Sequence, residues 1–523
     1  MKKILIYLTV AGSLMCTTSC SDWLNVLPNN ERVTADFWKT KEDVEAVVAS
    51  CYSGLRDLVP TLIDWSELRG SSIIAATNTN KQKLQNFQIL PSDALCKWNN
   101  VYKVLNYANS VIKYAPGVRE YDETYGEGAM NSHLCEAYFV RSLCYFYLVR
   151  NFRDVPLIIE PYVDDSAPFP VAKSTEKQIL AQIKNDLKTA IDTGAAKEFF
   201  DEDDYWQGVS KGRATKWALY ALMADVCLWD EDYDGCIEYA DLLLNATATR
   251  RPAFMKDPTY SSYFSIFYPG NSNESIFELN WHYSEDAYTA NNPASIFTAS
   301  ASAAYRYSQP MCERLYDESI ENGTEAGTAQ SLRAEWGAFG NADEEATDTK
   351  NYIIWKYQGI GFQEFNSVRS SIEPANFIVY RMADVMMMKA EALVRKGSSN
   401  YQEALSLVNE IRRRAGLNLV YSSNADFSEQ DMLEIILKER DIEFAGEGKR
   451  WYDLLRFGKS QNFKYKEVFV NEILNNNQTA NTSWLRSVLN KEDAWYLPIS
   501  QSEMDVNPLL VQNPYYGGTT TKK

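Results

Sequence analysis

The sequence predicts a mostly α-helical fold: antiparallel helix pairs stacked into a superhelix, joined to a loop-rich half that contains short strands. Three observations lead there. Apolar residues recur at helical spacing over most of the chain. Two similar helix pairs carry small residues where the helices would cross. Residues 250–375 switch to Tyr, Ser, Asn, Gly and Pro, with brief β-branched or aromatic runs.

The elements follow in order. Lys2-Lys3 precedes a short apolar run from Ile4 to Met15, then Thr17-Thr18-Ser19 and Cys20. Residues 1–19 read as a secretory signal, too short to be a comfortable membrane span. Small residues directly before Cys20 are similar to a bacterial lipobox. Cleavage there leaves Cys20 first, with lipid on its sulfur. Several acyl chains on one cysteine anchor stably, at about 0.8 kcal/mol per buried methylene. The plainer alternative is an ordinary signal peptide with an incidental cysteine.

Residues 60–100 read as loop. Leu134–Phe152 is apolar almost all round, so a helix there is buried on most sides. Leu180, Ile183, Leu187 and Ile191 form one stripe, with Thr175 and Gln178 at capping-box spacing before it. Trp217, Ala221, Ala224 and Leu228 share a face. A turn at Asp230–Tyr233 leads to a helix carrying Cys236, Ala240 and Leu243. Ala383, Met387, Ala390 and Val394 repeat the stripe over Arg381–Arg395, followed by Tyr401, Ala404, Val408, Ile411 and Ala415. Ala224 then Tyr233 corresponds to Ala390 then Tyr401. Small residues at a crossing with large ones between pairs are the signature of tetratricopeptide-like hairpins. Ser275–Leu279 and Tyr352–Lys356 read as strands. Trp495–Ile499 and the Pro508 and Pro514 region read as an extended tail wrapped over the body.

Composition narrows the function. The 523 residues are 45% hydrophobic, enough for a large core, and 33 Tyr, 22 Phe and 13 Trp leave a surplus for an aromatic binding surface. The formal charge of −18 repels nucleic acid and anionic headgroups. No close CxxC pair occurs, and Cys135, Cys144 and Cys227 lie in apolar helical stretches, as small hydrophobes do. With His133 and His282 the only histidines, a His-based metal site or triad is hard to build. No metal site or cofactor is expected. Glu439, Glu443 and Glu447 stand beside Arg440 and Arg450 at helical spacing. Paired structural charges explain them better than the two opposed carboxyls of a glycosidase.

Several segments together resemble the SusD/RagB family of outer-membrane nutrient-uptake lipoproteins. They are CSDWLNVLP from Cys20, EAYFVRSLCYFYLVRNFRDVPLI from Glu136, RMADVMMMKAEAL from Arg381, EALSLVNEIRRRAGL from Glu403, KERDIEFAGEGKRWYDLLRFGK from Lys438 and LPISQSEMDVNPLLVQNPYY from Leu497. The resemblance implies one SusD-like unit over 20–523, with an N-terminal region at about 20–250 and a C-terminal region at about 270–516. It implies four tetratricopeptide-like pairs. It also implies a lipid-anchored protein exposed on the outer membrane, without catalysis, that captures oligo- or polysaccharide and caps a SusC-like TonB-dependent barrel. A peptide ligand of the RagB type, or a structural lid with little ligand contact, are the alternatives. The chain departs from the pattern in its loose lipobox and at Gly446, where a large apolar residue is expected.

A sugar site needs flat apolar faces and amide or carboxylate groups, not a tuned pKa. Trp281, Tyr283, Tyr288, Asn291 and Asn292 follow the Ser275–Leu279 run, in a neighbourhood where relatives carry ligand contacts. Asn78, Asn80 and Lys81 in the loop Ile73–Lys83 are a second group, able to supply hydrogen bonds only. The plainer readings are that Trp281 closes the core and that the Asn78 loop is a solvated turn. Trp98 and Trp217 read as core. Trp355 could face either way from a strand.

Overall fold

The structure is a computed structural model that describes residues 37–76, 79–162, 170–200, 211–282, 286, 289–298, 304–320, 331–334, 354–360, 369, 373–417, 427–478 and 480–517. It opens with α1, Lys41–Glu67. Thr40 caps this helix in a reciprocal box with Asp43, whose carboxylate accepts the Thr40 N–H at 2.9 Å. After β1 (Ile73–Ala75) and α2 (Thr79–Gln85) come α3 (Asn99–Val118) and α4 (Glu127–Phe152). The short β2 (Val155–Pro156) and β3 (Lys173–Ser174) pair antiparallel and deliver the chain to α5, Glu176–Asp192. Thr175 and Gln178 form the expected capping box at its start.

Helices α6 (Lys216–Trp229) and α7 (Tyr233–Leu244) make a tight hairpin, turned by Asp232, which caps α7 through the Gly235 N–H. Beyond α8 (Tyr260–Phe264) lies β4, Ser275–Leu279, where the sequence places a strand. It is followed by α9 (Pro293–Ile296), β5 (Tyr305–Tyr307) and α10 (Gln309–Ile320). Strand β6 (Phe377–Arg381) runs directly into α11 (Met382–Arg395), which pairs with α12, Tyr401–Arg414.

Four antiparallel pairs therefore stack in sequence: α1 with α3, α4 with α5, α6 with α7, and α11 with α12. Contacts between α7 and α11 continue the stack across the loop-rich insertion. Ala224 and Ala390 are fully buried, and small side chains there let neighbouring backbones approach. The remaining helices are α13 (Glu429–Glu443), α14 (Arg450–Phe463), α15 (Lys466–Asn476), α16 (Thr482–Leu489) and α17 (Gln501–Val506). The tail ties across the body: Leu497 donates its N–H to Asn151 O, Gln501 to Pro91 O, and the Asn507 amide to Val171 O. The seven cysteines from Cys51 to Cys312 are buried and free.

Two sequence expectations are corrected. Much of 60–100 is helical, because α1 continues to Glu67 through Pro60 and α2 and α3 follow. Pro60 reads as a breaker, yet burial of Leu62, Ile63 and Trp65 holds the helix past it. The run ending at Lys356 forms a 3₁₀ turn at Trp355–Tyr357 instead of a strand. Both Trp355 and Lys356 are drawn inward, and Lys356 Nζ binds Glu447 at 2.8 Å and Glu443 O at 3.2 Å.

The C-terminal half is locked by buried charges. Arg381 meets Glu274 at 2.8 Å, Glu443 at 2.7 Å and Glu447 at 2.8 Å. Arg414 binds Glu274 at 2.9 Å and also Glu443. Arg333 holds Glu439 at 2.6 Å. The glutamates that could suggest acid–base chemistry are thus spent on arginines. The three guanidiniums nearest Glu443 outweigh its desolvation and hold its carboxyl down at about 2. Gly446 sits in the α13–α14 turn at φ +82°, with Ile354 3.1 Å from where a Cβ would stand. This backbone excludes the large apolar side chain expected there.

Candidate functional site

The site is built on one face of α1. Strands β4 and β6 pair antiparallel with Leu279 opposite Phe377, which brings the chain after β4 against Asn376. The Trp281 N–H donates to Asn376 Oδ1 at 3.1 Å. The Trp281 ring then lies under the Arg56 guanidinium, 5.1 Å from its centre, and its indole N–H donates to Asn291 Oδ1 at 3.0 Å. Asn291 donates in turn to Asp57 Oδ1 at 3.0 Å. Arg56 pairs with Asp286, and the Asp286 carboxylate accepts the His282 N–H at 2.8 Å. Pro60 has no N–H to return to Arg56 O, so the helix bond that would occupy this carbonyl is missing. Two polar pairs, Arg56 with Asp286 and Asn291 with Asp57, therefore surround Trp281, with Asp57 exposed and Arg56 and Asn291 half-buried.

A second anchor lies seven residues further along α1. Lys81 Nζ reaches both oxygens of buried Asp64, at 2.7 and 2.6 Å, and the Tyr305 hydroxyl donates to Asp64 at 2.6 Å. Burial lifts the Asp64 carboxyl above its ordinary value despite the Lys81 charge. Burial, then the Asp64 charge, pushes the Tyr305 hydroxyl up as well. The β1–β5 pairing sets Ala75 opposite Tyr305 and so couples this loop to the insertion. Two helical turns separate Asp57 from Asp64, about 10 Å along one helix face. Exposed Asn80, in the first turn of α2, and half-buried Asn291 thus belong to segments that bond to the same helix, through Lys81 and through Asn291 itself. Chemically, this surface offers amide, carboxylate and guanidinium groups for hydroxyl recognition.

Two family models match the chain. The SusD family model covers residues 186–516, and a model described as starch-binding associating with outer membrane covers residues 22–228. The chain belongs to the SusD family. Its mostly helical, tetratricopeptide-like architecture agrees. SusD-like protein P38 of Formosa agariphila is 26% identical over 505 residues, covering 88% of this chain and 92% of that protein. SusD-like protein P2 of the same organism is 28% identical over 475 residues, 85% of this chain and 88% of that protein. A SusD superfamily structure from Bacteroides vulgatus superposes with TM-score 0.71 at 23% identity, covering 91% and 99% of the two chains. A laminarin-binding SusD-like protein superposes with TM-score 0.65 at 21% identity, covering 91% and 100%.

Within this SusD-family chain the candidate residues fare unequally. Trp281 is 1% exposed, which corrects the expectation of an open stacking face: the ring is packed beneath Arg56 and bonded at its edge by Asn291. Asn291 bonds Asp57 of α1, and Asn80 is exposed in the first turn of α2, next to the Lys81 that bonds Asp64. Tyr283, Tyr288, Asn78 and the lipidation candidate Cys20 lie outside the described residues. Trp98, Trp217 and Trp355 are buried, as core positions require. The sequence reading missed Arg56 and Asp57, which sit inside a long helix with no motif around them. The available signal was an adjacent charged pair just before Pro60.

Proposed function

We propose that this protein captures oligo- or polysaccharide at the cell surface, tethered to the outer membrane by lipid on Cys20, and passes it to a SusC-like TonB-dependent barrel without cleaving it. Family membership supports an outer-membrane-associated, starch-binding class of protein. A protein of the same fold carries laminarin-binding in its name, which favours a glycan over a peptide. The observation that carries the reading is the pair of contacts around Trp281, Arg56 with Asp286 and Asn291 with Asp57. Amide, carboxylate and guanidinium groups gathered at one place can bond the ring hydroxyls of a sugar, and release inward favours a weak site. A millimolar dissociation constant corresponds to about −4 kcal/mol.

The test is calorimetry of the chain from residue 21 against neutral oligosaccharides of differing linkage and a set of short peptides. A saturable signal with one glycan class, weakened about tenfold or more by Asp57→Ala, supports the reading. Binding of peptides alone moves the protein to peptide uptake. Silence toward both ends the capture reading and leaves a structural lid.

A further inference from the structure

A cleft that shares no residue with the Trp281 cluster lies where α13 meets α10 and α15. Its volume is about 440 Å³, within the range of roughly 300–1,000 Å³ usual for small-molecule sites. One stripe of α13 forms its long wall: Asp431, Glu434, Ile435, Lys438 and Asp441 recur at three- and four-residue spacing and so share a face. Helix α10 adds Arg314, α15 adds Glu472, and Phe427, just ahead of the Ser428 cap of α13, also lines the space.

The charged part of the cleft is set in place by the protein itself. Buried Asp441 accepts from Arg314 Nη2 at 2.7 Å and from the Ser72 hydroxyl at 3.0 Å. Arg314 Nη1 donates to Asn476 Oδ1 at 3.0 Å. Arg450 pairs with Glu472 at 2.8 Å and with Asp441 at 3.2 Å. Arg314 stays half-buried, so it is held without being covered, and little of its freedom is left to lose on binding. Glu434 and Lys438 are exposed on the same face.

This lining mixes both signs. An anion meets Glu434, Asp441 and Glu472, and a cation meets Arg314 and Lys438, so like-charge contacts disfavour either. A neutral ring rich in hydroxyls uses both sets, because carboxylates accept its O–H groups while guanidinium and ammonium donate to its oxygens. Half-buried Phe427 and Ile435 offer apolar surface to its C–H face.

We propose that this cleft is a second glycan subsite, which takes one or two units of a neutral sugar through Phe427, Glu434, Lys438 and Arg314. The inference rests on the reading of the chain as a glycan binder and adds a contact on its C-terminal half. The β1–β5 ladder joins the two places: Ser72, next to β1, bonds Asp441, and Tyr305 of β5 bonds Asp64 of α1. Two weak contacts on one body retain a polymer long enough to reach both, while each contact alone releases readily.

The test uses the mature chain with maltose, cellobiose, laminaribiose and mannobiose, and with glucosamine and glucuronate as charged comparators. Crystals soaked in these sugars are expected to show a disaccharide against Phe427, within hydrogen-bond reach of Glu434 or Arg314. In solution, titration followed by saturation-transfer NMR is expected to leave residual disaccharide binding in Asp57→Ala. Adding Phe427→Ala or Lys438→Ala to that variant should weaken the residue of binding about tenfold. Lys438 is exposed, so its loss leaves folding untouched. The subsite is overturned, with the glycan reading intact, if Asp57→Ala abolishes all sugar binding, if both added substitutions change nothing, if density in the cleft has no counterpart in solution, or if the cleft takes only a charged sugar. A parent chain that binds none of the sugars overturns the glycan reading and the subsite with it.

Discussion

Asn291 holds the indole of Trp281 at its edge, its side-chain oxygen accepting the ring N–H at 3.0 Å while its own amide reaches Asp57. The pair separates a packing role from a recognition role. Trp281→Ala empties a fully buried ring site and should cost about 3–5 kcal/mol of stability. Asn291→Ala leaves the ring in place and the indole N–H unpaired, costing about 1–2 kcal/mol. Denaturant unfolding of the two variants should rank them in that order. If Asn291→Ala proves as damaging as Trp281→Ala, the polar cluster around the ring is structural, and its role in ligand contact loses its support.

The Gly446 turn makes a second prediction. At φ +82°, with Ile354 3.1 Å from a built Cβ, any side chain meets both backbone strain and a neighbour. Gly446→Ala is expected to lose about 1–3 kcal/mol, and Gly446→Leu more. A Leu variant with an unchanged unfolding midpoint would mean that the turn re-forms in another conformation.

Buried Arg414 makes a third. It meets Glu274 at 2.9 Å and also Glu443, with neither carboxylate exposed. Arg414→Met keeps volume but strands negative charge, at a cost of about 3–5 kcal/mol. Acid should act through the same cluster. The Glu443 carboxyl is depressed to about 2, so its contribution is complete above the unfolded value near 4.5 and is lost as pH falls through 2. The acid limb of unfolding should be shallower in Glu443→Gln than in the parent chain. Parallel acid limbs would show that this carboxylate does not govern it.

These residues also show what the sequence made legible. Helix starts with side-chain chemistry were readable: Thr175 and Gln178 place the start of α5 because the box satisfies its first donors locally. Ser275–Leu279 was readable as a strand because β-branched and aromatic residues are bounded by turns. Trp355 and Lys356 were misread because long-range burial overrode the local preference of that run. Asn80 and Asn291 were readable as residue types, but the α1 platform that α2 and the Asn291 segment meet was not. Asp57 and Asp64 meet those segments through contacts 234 and 17 residues away in sequence, and no local pattern encodes such pairings.

The last prediction concerns Glu67, at the end of α1. It is 1% exposed and accepts the Gly448 N–H at 2.6 Å, linking α1 to the α13–α14 turn. Burial is the largest influence on it, and the Asp441 charge adds to that. The Gly448 and Gly446 N–H groups and Lys356 pull the other way, and the net effect is a carboxyl raised to about 8. The protonated form is therefore favoured in the fold. Its stability contribution is complete below the unfolded value near 4.5 and is lost as pH rises through about 8. Glu67→Gln keeps the shape and the acceptor for Gly448 but cannot ionise. Compared with the parent chain, the variant should gain little at pH 5 and become relatively more stable by pH 9, by on the order of 3–5 kcal/mol at most. Chemical denaturation at both pH values measures the difference, and because other titrating groups are shared, they cancel in the comparison. An equal gap between the two proteins at pH 5 and pH 9 would mean that Glu67 is already ionised in the folded chain at neutral pH.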